Sequence, residues 1–548
     1  MAHLLSLYCI VINKIRINNS WINILFFCFA FLCKAQKVEW NITYNSKWFN
    51  TNQNMYYATT KGIDCDSSGD IYSIKVFMDS TYGEYISKHS PQGQLLWTKR
   101  CVGILDKIKS DQEGNVYLIG RFYQTANIFG INLTDTAEYY VGFYAKLNSN
   151  GICQWAYKLP HRVGFRDIEI ASSEEIYIVG DVSLMNATVG NDLILSGHNF
   201  ISKIKPDGSI QWAKPIAMST FCKFLRKDNY GNYIIAGQLT GSAFVGKDIN
   251  PLYLNGHSPG DIFIAKLDSN FNAVWAKLGS SYGGNLNGLE LDNSGNAYIA
   301  GTLGYYLVFG GQYIQTSGSN MFLLKVNANG NLLWIKNSEL LNPNIIALNE
   351  CYGLTVDQVG NSYVTGGINN DTTQFDSFVI TKLGSPYVFK YDTDGNLLWG
   401  LNREIIQADQ DVVPISYAGA GKAICNDKDG NILIAGYCGA YENKSFITKV
   451  SDEKTIGINE FKTNELFTFN VYPNPTAAVF QINCSIFEKC KFQIIVTDLK
   501  GQKVYTESIS QFQGEYNKTI DLSKHAKGIY FIEIITDGKR AVKRIAVH

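Results

Sequence analysis

The chain has 548 residues, too many for one ordinary hydrophobic core, so several domains or a large repeat array are expected. Lys plus Arg and Asp plus Glu both number 48, so the formal charge is zero and no basic stripe for a nucleic-acid partner is indicated. Aromatic residues make up 13% of the chain, with 33 tyrosines against 11 prolines, which favours strands and argues against disorder.

The chain begins with a predicted secretion signal over residues 1–35. Basic residues precede the apolar run Trp21–Cys33, which is too short to cross a bilayer as an anchor. Small residues at the end of this run predict cleavage between Ala35 and Gln36. The alternative of a lipoprotein signal is disfavoured, because its cysteines do not directly follow small residues. An apolar prelude before the run leaves the true translation start open.

A short pattern then recurs seven times, and its copy LDNSGNAYIAG spans Leu291–Gly301. It reads as two strands joined by a tight turn, in which the Asp bonds its own backbone and the Gly-Asn pair tolerates positive φ. One of the seven copies, around Tyr177, has lost both the Asp and the Gly-Asn pair. We interpret the aspartates as scaffold and not as an acidic site; they are Asp66, Asp111, Asp228, Asp292, Asp357 and Asp427.

A second motif alternates with the first: a Lys, a Gly five residues later and a Trp four residues after that. The tryptophans run from Trp97 to Trp399 in five steps, a mean of about 60 residues, and such a period indicates a repeat fold. We predict that the tryptophans pack one repeat on the next and that the lysines are solvated or snorkelling. The lysines are Lys88, Lys146, Lys203, Lys266, Lys325 and Lys390.

Each period contains four predicted strands in which apolar and polar residues alternate, and a propeller blade consists of four such strands. The seventh period lacks its Trp-bearing strand, and Lys37–Tyr44 near the N-terminus offers one. The sequence therefore predicts an all-β fold: a seven-bladed β-propeller over residues 36–458, closed by the N-terminal strand, followed by a small β-sandwich.

The two motifs together resemble the bacterial seven-bladed β-propeller repeat family, over about three quarters of the chain. The resemblance implies the fold and is nearly silent on activity, because propellers host many functions.

After a linker over residues 459–468, short alternating strands over 469–548 predict the small β-sandwich. This segment resembles the type A C-terminal sorting domain of the type IX secretion system of Bacteroidota. The resemblance implies export, passage through the outer membrane by the type IX machinery, and attachment at the outer cell surface without a transmembrane anchor. The matching residues include Tyr472, Pro473, Asn474, Pro475, Lys527, Gly528, Tyr530, Lys543 and Arg544.

Cysteines and short motifs give no chemistry of their own. No C-x-x-C occurs, and Cys484 with Cys490 could form a disulfide across a hairpin. The G-x-S-x-G around Ser258 is followed by a strand where a nucleophile elbow needs a helix. Lys422 lies in GAGKA, which lacks the residues of a phosphate loop.

Metal and cofactor signals are equally weak. The turn beginning at Asp392 lacks the last ligand of a calcium loop, and His198 and His257 are too few for a metal site. We therefore predict no catalytic residue, no metal and no cofactor.

Strand order places both motif turns on one face, the tight-turn face, and the long connections on the other, the long-loop face. Variable loops on a rigid scaffold usually carry binding. We expect a cell-surface binding or adhesion protein for an unknown glycan or protein; the alternative is a secreted polysaccharide lyase or hydrolase with a site at the channel mouth. The longest connection between blades, Leu401–Gly421, carries the candidate ligand residues Arg403, Glu404, Asp409 and Asp411.

Overall fold

The computed structural model divides into two compact units, Gln36–Asp452 and a unit made of Met1–Ala35 with Glu453–His548. In the residues it describes, all regular secondary structure is strand. The described ranges are 9–17, 20–28, 37–44, 58–77, 83–246, 251–258, 260–316, 318–341, 347–368, 372–376, 378–380, 385–402, 419–438, 444–451, 467–472, 476–498, 502–536 and 539–547.

In the first unit, successive strands pair antiparallel in groups of four, here numbered sheets 1 to 7 in chain order. Ile210–Lys227 is long enough to end sheet 3 and begin sheet 4. Sheet 1 contains Ala58–Cys65, Ile71–Phe77, Gly83–His89 and Leu95–Cys101. Sheet 2 contains Ile104–Ser110, Val116–Phe122, Val141–Leu147 and Cys153–Lys158. Sheet 3 contains Val163–Ser172, Glu175–Val182, His198–Ile204 and Ile210–Lys227. Sheet 4 continues with Tyr233–Val245, Ile262–Leu267 and Ala273–Tyr282. Sheet 5 contains Asn285–Leu291, Ala297–Leu303, Gly318–Val326 and Leu332–Leu340. Sheet 6 contains Ala347–Val356, Ser362–Ile368, Ser385–Tyr391 and Leu397–Leu401.

Sheet 7 takes strands from both ends of the unit. Gly419–Asn426, Ile432–Cys438 and Lys444–Ser451 follow one another, and Lys37–Tyr44 pairs antiparallel with the last of them. The N-terminal strand therefore supplies the fourth strand of this sheet, with Trp40 opposite Lys449.

The long connections between second and third strands contain short ladders of their own. Two of these ladders also pair with the last strand of the preceding sheet. The short strands are Thr125–Ile128 with Ile131–Thr134, Ala187–Val189 with Asp192–Ile194, Tyr306–Phe309 with Gln312–Gln315, Thr373–Phe375 with Phe378–Ile380, and Leu252–Leu254, which pairs with Tyr233–Val245.

Buried apolar side chains fill the spaces between consecutive sheets, which we call seams. Ile74 of sheet 1 packs with Leu118 of sheet 2, and equivalent clusters follow at each later seam. A further cluster joins sheet 7 to sheet 1 and contains Ile63 and Leu433. Burying such apolar faces is the main force that holds the sheets together.

The repeated tryptophans cross these seams, as the sequence predicts. Trp334 donates from its indole nitrogen to Thr393 O of the next sheet at 3.0 Å. Gly395 lies against the same ring with φ +82, so a side chain there would meet the indole at 2.8 Å. The same donation recurs from Trp40 to Pro91, Trp97 to Ser149, Trp155 to Pro206 and Trp275 to Ala328.

In the C-terminal part of the second unit, five strands form one hydrogen-bonded sheet, with an apolar core that includes Phe480, Ile532 and Ile545. Cys484 and Cys490 lie on one strand of it, on either side of an irregularity in its pairing, and not on the two strands of a hairpin as predicted. A disulfide between them stays a prediction. The strands are Phe467–Tyr472, Val479–Asp498, Lys503–Asp521, Gly528–Thr536 and Lys539–Val547.

The predicted signal segment contains two paired strands, Cys9–Ile17 and Ser20–Cys28. The predicted cleavage residues, Ala35 and Gln36, lie outside the described residues.

Candidate functional site

The motif turns on the tight-turn face are structural. Asp292 accepts backbone N–H groups from Ser294 at 3.0 Å and Asn296 at 2.9 Å, and Gly295 has φ +76. The predicted role of this Asp in closing its own turn is confirmed.

Four of the six repeated lysines, Lys88, Lys266, Lys325 and Lys390, are buried, so the prediction that these side chains are solvated or snorkelling is wrong for them. Lys266 is 9% exposed and pairs with the turn carboxylate of Asp228 at 2.9 Å. Lys325 and Lys390 are buried beside Asp292 and Asp357 in the same way. These three lysines face inward because the motif Asp gives each of them a partner, which a reading of either motif alone misses. Lys88 is buried beside Asp70, whereas Lys146 and Lys203 are half-buried.

A β-bulge interrupts the first strand of every sheet, and all seven bulges fall at the same position. In sheet 7, Gly421 pairs with Gly436 and Ala423 with Ala435, so Lys422 is the extra residue. Bulges commonly re-aim a side chain next to functional sites. The seven extra residues, called the mouth residues below, are Lys61, Asp106, Arg166, Lys223, Asn287, Tyr352 and Lys422.

The first strands surround a cavity of about 320 Å³, here called the axial cavity, which takes lining residues from every sheet. Five mouth residues belong to this lining. They lie in the half of each first strand that is farther from the motif turn, so they face the long-loop end of the cavity.

The end of the cavity nearer the motif turns holds a closed charge network across three sheets. Arg226 donates to Asp167 at 2.7 Å and makes two bonds to Glu290, at 2.8 and 3.2 Å. Burial opposes the Arg226 charge, but Glu290, Asp167 and Glu169 outweigh it and raise the pKa of the guanidinium. Such a satisfied network joins the seams and leaves little charge for a ligand.

The mouth residues differ because two of their four cations lack an acidic partner among the described residues. Lys61 pairs with Glu84 at 2.7 Å, and Arg166 pairs with Asp181. In the described part of the chain, no carboxylate lies within ion-pair distance of Lys223 or Lys422. The Lys422 ammonium instead lies 3.2 Å from the ring centre of Tyr352 and 5.6 Å from that of Tyr437.

A third unmatched ammonium group lies deeper in the cavity. Lys107 is 4.9 Å from the ring centre of Phe224, and no ion pair to it is found among the described residues. Burial lowers the pKa of Lys107, and it lowers the pKa values of Lys223 and Lys422 to about 8. These pKa values express the cost of holding a charge away from water without a counter-ion, a cost that an anionic ligand would remove.

Exposed tyrosine pairs lie near the same end of the sheets. Tyr282 and Tyr305 are 53% and 54% exposed, with ring centres 5.4 Å apart. Tyr123 and Tyr140 form a second pair at 6.1 Å. All four flank connections of the long-loop face.

The candidate loop residues of the sequence, Arg403, Glu404, Asp409 and Asp411, lie outside the described residues. Ser258 and His257 donate backbone N–H groups to Asp261 in a turn, with no helix following. His198 is buried on a strand of sheet 3. Within the described ranges, no group of His, Cys, Asp or Glu has the arrangement of a metal site.

The mouth residues were missed, although a sequence signal exists. Each lies five residues before the motif Asp or its equivalent, as Lys422 does before Asp427. Aligned copies therefore carry a mostly polar residue at one fixed place, and only the bulge turns that place toward the cavity.

The predicted sorting residues fall in the second unit. Tyr472 ends a strand, Pro473, Asn474 and Pro475 lie outside the described residues, and Lys527 is exposed just before Gly528. Tyr530 is 3% exposed and donates to Ala526 O. Lys543 and Arg544 lie on the last strand, opposite Ile532 and Phe531.

Residues 470–548 match the family model of the secretion system C-terminal sorting domain. The protein is therefore exported through the type IX secretion system, with whose machinery this tail interacts, and is secreted and attached at the cell surface. Across the described residues, no helix has the length and hydropathy to span a membrane.

No curated protein matches the chain. Among solved structures, it is similar to a protein of unknown function from Bacteroides caccae, at 10% identity over 64% of this chain and 94% of that one, with a TM-score of 0.31. It is also similar to YCF48 bound to D1 peptide, at 10% identity over 73% and 97%, with a TM-score of 0.33. The WD40 domain of SCAP from fission yeast follows, at 9% identity over 72% and 96%, with a TM-score of 0.30. Similarity at this level assigns no activity to this chain.

Proposed function

We propose that the first unit is a closed seven-bladed β-propeller that serves at the cell surface as a binding module for an acidic glycan. Its ligand enters the axial cavity from the long-loop face. The pairing of Lys37–Tyr44 with sheet 7 and the apolar cluster between sheets 7 and 1 support the closed ring.

The observation that carries the ligand class is the set of unmatched cations around the cavity. Lys107 and Lys422 line the cavity, and Lys223 is the bulge residue of sheet 4 and donates to Asn285. All three are half-buried and have no acidic partner among the described residues. A buried charge without a counter-ion costs free energy, and a carboxylate or sulfate entering the mouth would supply one. The four acids that line the cavity are paired with other cations: Asp167 and Glu290 with Arg226, Asp106 with Arg121, and Asp64 with Lys109.

The tyrosines favour a sugar over a simple anion. Tyr282 with Tyr305, and Tyr123 with Tyr140, present flat apolar rings with polar edges on the long-loop face. Such surfaces suit the faces of sugar rings, and the two mouth lysines without an acidic partner, Lys223 and Lys422, then select for acidic groups on them. We infer binding and not turnover, because no nucleophile paired with a base was identified around the described cavity.

The test uses the full exported chain and a glycan array that contains uronate-bearing, sulfated and neutral oligosaccharides. Tetragalacturonate and its neutral methyl ester then serve as a matched pair for calorimetry, with poly-glutamate as a peptide arm. We expect binding of the acidic sugar, weaker binding of the ester, and at least about tenfold weaker binding after Lys422→Met or Lys223→Met.

Lys428→Met is the matched control, because Lys428 is exposed on the tight-turn face of the same sheet, six residues from Lys422. Its affinity should equal that of the unaltered protein. Equal binding of acidic and neutral sugars, or poly-glutamate as the preferred partner, would contradict the proposed ligand class.

A further inference from the structure

Two cysteines from opposite ends of the first unit meet beside the axial cavity. Cys65 ends the first strand of sheet 1, and Cys425 lies near the end of the first strand of sheet 7. Their sulfur atoms are 3.0 Å apart, although 360 positions separate them in the chain. Both belong to the apolar cluster between sheets 7 and 1 or pack against it.

The same two strand positions form cross-seam bonds elsewhere in the unit. Between sheets 1 and 2, Asp64 accepts hydrogen bonds from Ser110 N at 2.6 Å and Ser110 Oγ at 2.9 Å. Between sheets 3 and 4, Glu169 accepts one from Lys227 N at 3.3 Å. Each carboxylate lies two residues before the turn position of its sheet, as Cys425 does, and each donor lies one residue before it, as Cys65 does.

We propose that Cys65 and Cys425 form a disulfide in the exported protein, which covalently fastens sheet 7 to sheet 1. The inference is independent of the proposed ligand and rests on export from the cytoplasm, where thiols are kept reduced, to compartments where disulfides persist. The seam it fastens is the one that joins the two ends of the unit. Hydrogen bonds at the other seams hold sheets that are already consecutive in the chain.

The reaction is a two-electron oxidation that needs a disulfide-bearing oxidant, such as an oxidoreductase or a small-molecule disulfide. A thiolate of the pair attacks the oxidant to form a mixed disulfide and releases one oxidant thiol. The second cysteine then displaces the remaining oxidant sulfur. One S–S bond forms in the protein, two S–H bonds are lost, and the oxidant takes up two protons and two electrons.

Burial in the closed seam slows oxidation of the two thiols, so we expect the disulfide to form before the seam closes. The hydrogen bond with Cys425 is the larger cause, and burial the second, of a raised pKa for the Cys65 thiol. Once the seam has closed, the pair therefore contains little reactive thiolate. The bond therefore forms as sheet 7 docks during folding.

The first experiment maps the bond in the full chain recovered from the cell surface. The protein is denatured in iodoacetamide, reduced, labelled with N-ethylmaleimide, and digested for mass spectrometry. We expect N-ethylmaleimide on Cys65 and Cys425, and a linked peptide pair when reduction is omitted. Iodoacetamide on both residues, or linkage of either to a different cysteine, would overturn the proposal.

The second experiment measures the thermal midpoint with and without a reductant. We expect Cys65→Ala, Cys425→Ala and the double variant to share one midpoint, about 5 °C below the unaltered protein, and to be insensitive to reductant. Cys351→Ala is the matched control, a buried cysteine on the first strand of sheet 6, and should keep the reductant response. Additive losses in the double variant, or a reductant response that persists in it, would refute the bond.

Discussion

At the scale of single residues, sheets 5 and 6 each hold an inward-facing Asp, Lys and Tyr that contact one another. Lys325 lies 3.5 Å from the Asp292 carboxylate and 4.7 Å from the ring centre of Tyr298. Tyr298 also donates to Gly360 O of the next sheet at 2.6 Å, so the group links a turn to a seam. Removing one partner of such a pair leaves a buried charge unmatched, which costs more than the pair contributes.

The pair Lys266 and Asp228 tests this argument. Lys266→Met should lower the free energy of unfolding by about 3 kcal/mol, because the Asp228 carboxylate loses its cation in a buried position. Adding Asp228→Asn should recover part of the loss, as measured by thermal and urea unfolding. A single variant as stable as the unaltered protein would show that the lysine is not needed there.

Glycine turns allow a second test at this scale. Gly395 and Gly430 have φ of +82 and +81, but only at Gly395 would a methyl group meet a neighbour, the Trp334 ring at 2.8 Å. Gly430→Ala should cost about 1 kcal/mol of backbone strain, and Gly395→Ala about 1–3 kcal/mol more. Equal thermal midpoints for the two variants would contradict close packing of this glycine on the indole.

At the scale of elements, the bulge in each first strand decides what the cavity presents. Without the extra residue, alternation would place these polar side chains against neighbouring sheets. The bulge instead gathers Lys61, Asn287, Tyr352 and Lys422 around one opening. The bulge therefore places a side chain at the same point of every sheet, while the type of residue there varies from sheet to sheet.

The lysine pKa values give this element a pH signature. Burial lowers the pKa values of Lys223 and Lys422 to about 8, so both lose charge as pH rises through 8 while a uronate stays ionised. Affinity for tetragalacturonate should fall about tenfold or more between pH 7 and 9.

The matched variant is Lys422→Arg, whose guanidinium stays charged across this range. Its affinity should depend less on pH in the same calorimetric titration. An unaltered protein whose affinity is flat from pH 7 to 9 would mean that these ammonium groups do not contact the ligand charge.

At the scale of the whole molecule, a secretion tail accompanies a repeat unit in one chain. Deleting residues 470–548 should retain the first unit inside the outer membrane, because this segment is the match to the sorting domain. Fractionation and surface protease accessibility measure this. Fusing 470–548 behind a periplasmic reporter is the converse experiment, and a truncated chain that still reached the surface would assign export to another segment.

Much of the architecture follows from the sequence because it depends on repetition. The motif turns, the crossing tryptophans and the strand at Lys37–Tyr44 each follow from a period or a missing element. The inward orientation of Lys266 could not be predicted from the sequence, because it depends on a carboxylate from another strand. The mouth residues could not be predicted either, because a bulge reverses the side that strict alternation assigns to Lys422. The contact of Cys65 with Cys425 depends on how the two ends of the unit meet in space.

Lysine acylation footprinting tests directly whether the mouth residues form the ligand site. The full chain is treated briefly with acetic anhydride at pH 7.5, with and without saturating tetragalacturonate, and modification is quantified by mass spectrometry. We predict that the sugar slows acylation of Lys223 and Lys422 at least about fivefold and leaves Lys428 on the tight-turn face unchanged. Unchanged acylation of Lys223 and Lys422 under saturating ligand, or protection of Lys428 instead, would show that the mouth residues are not the ligand site.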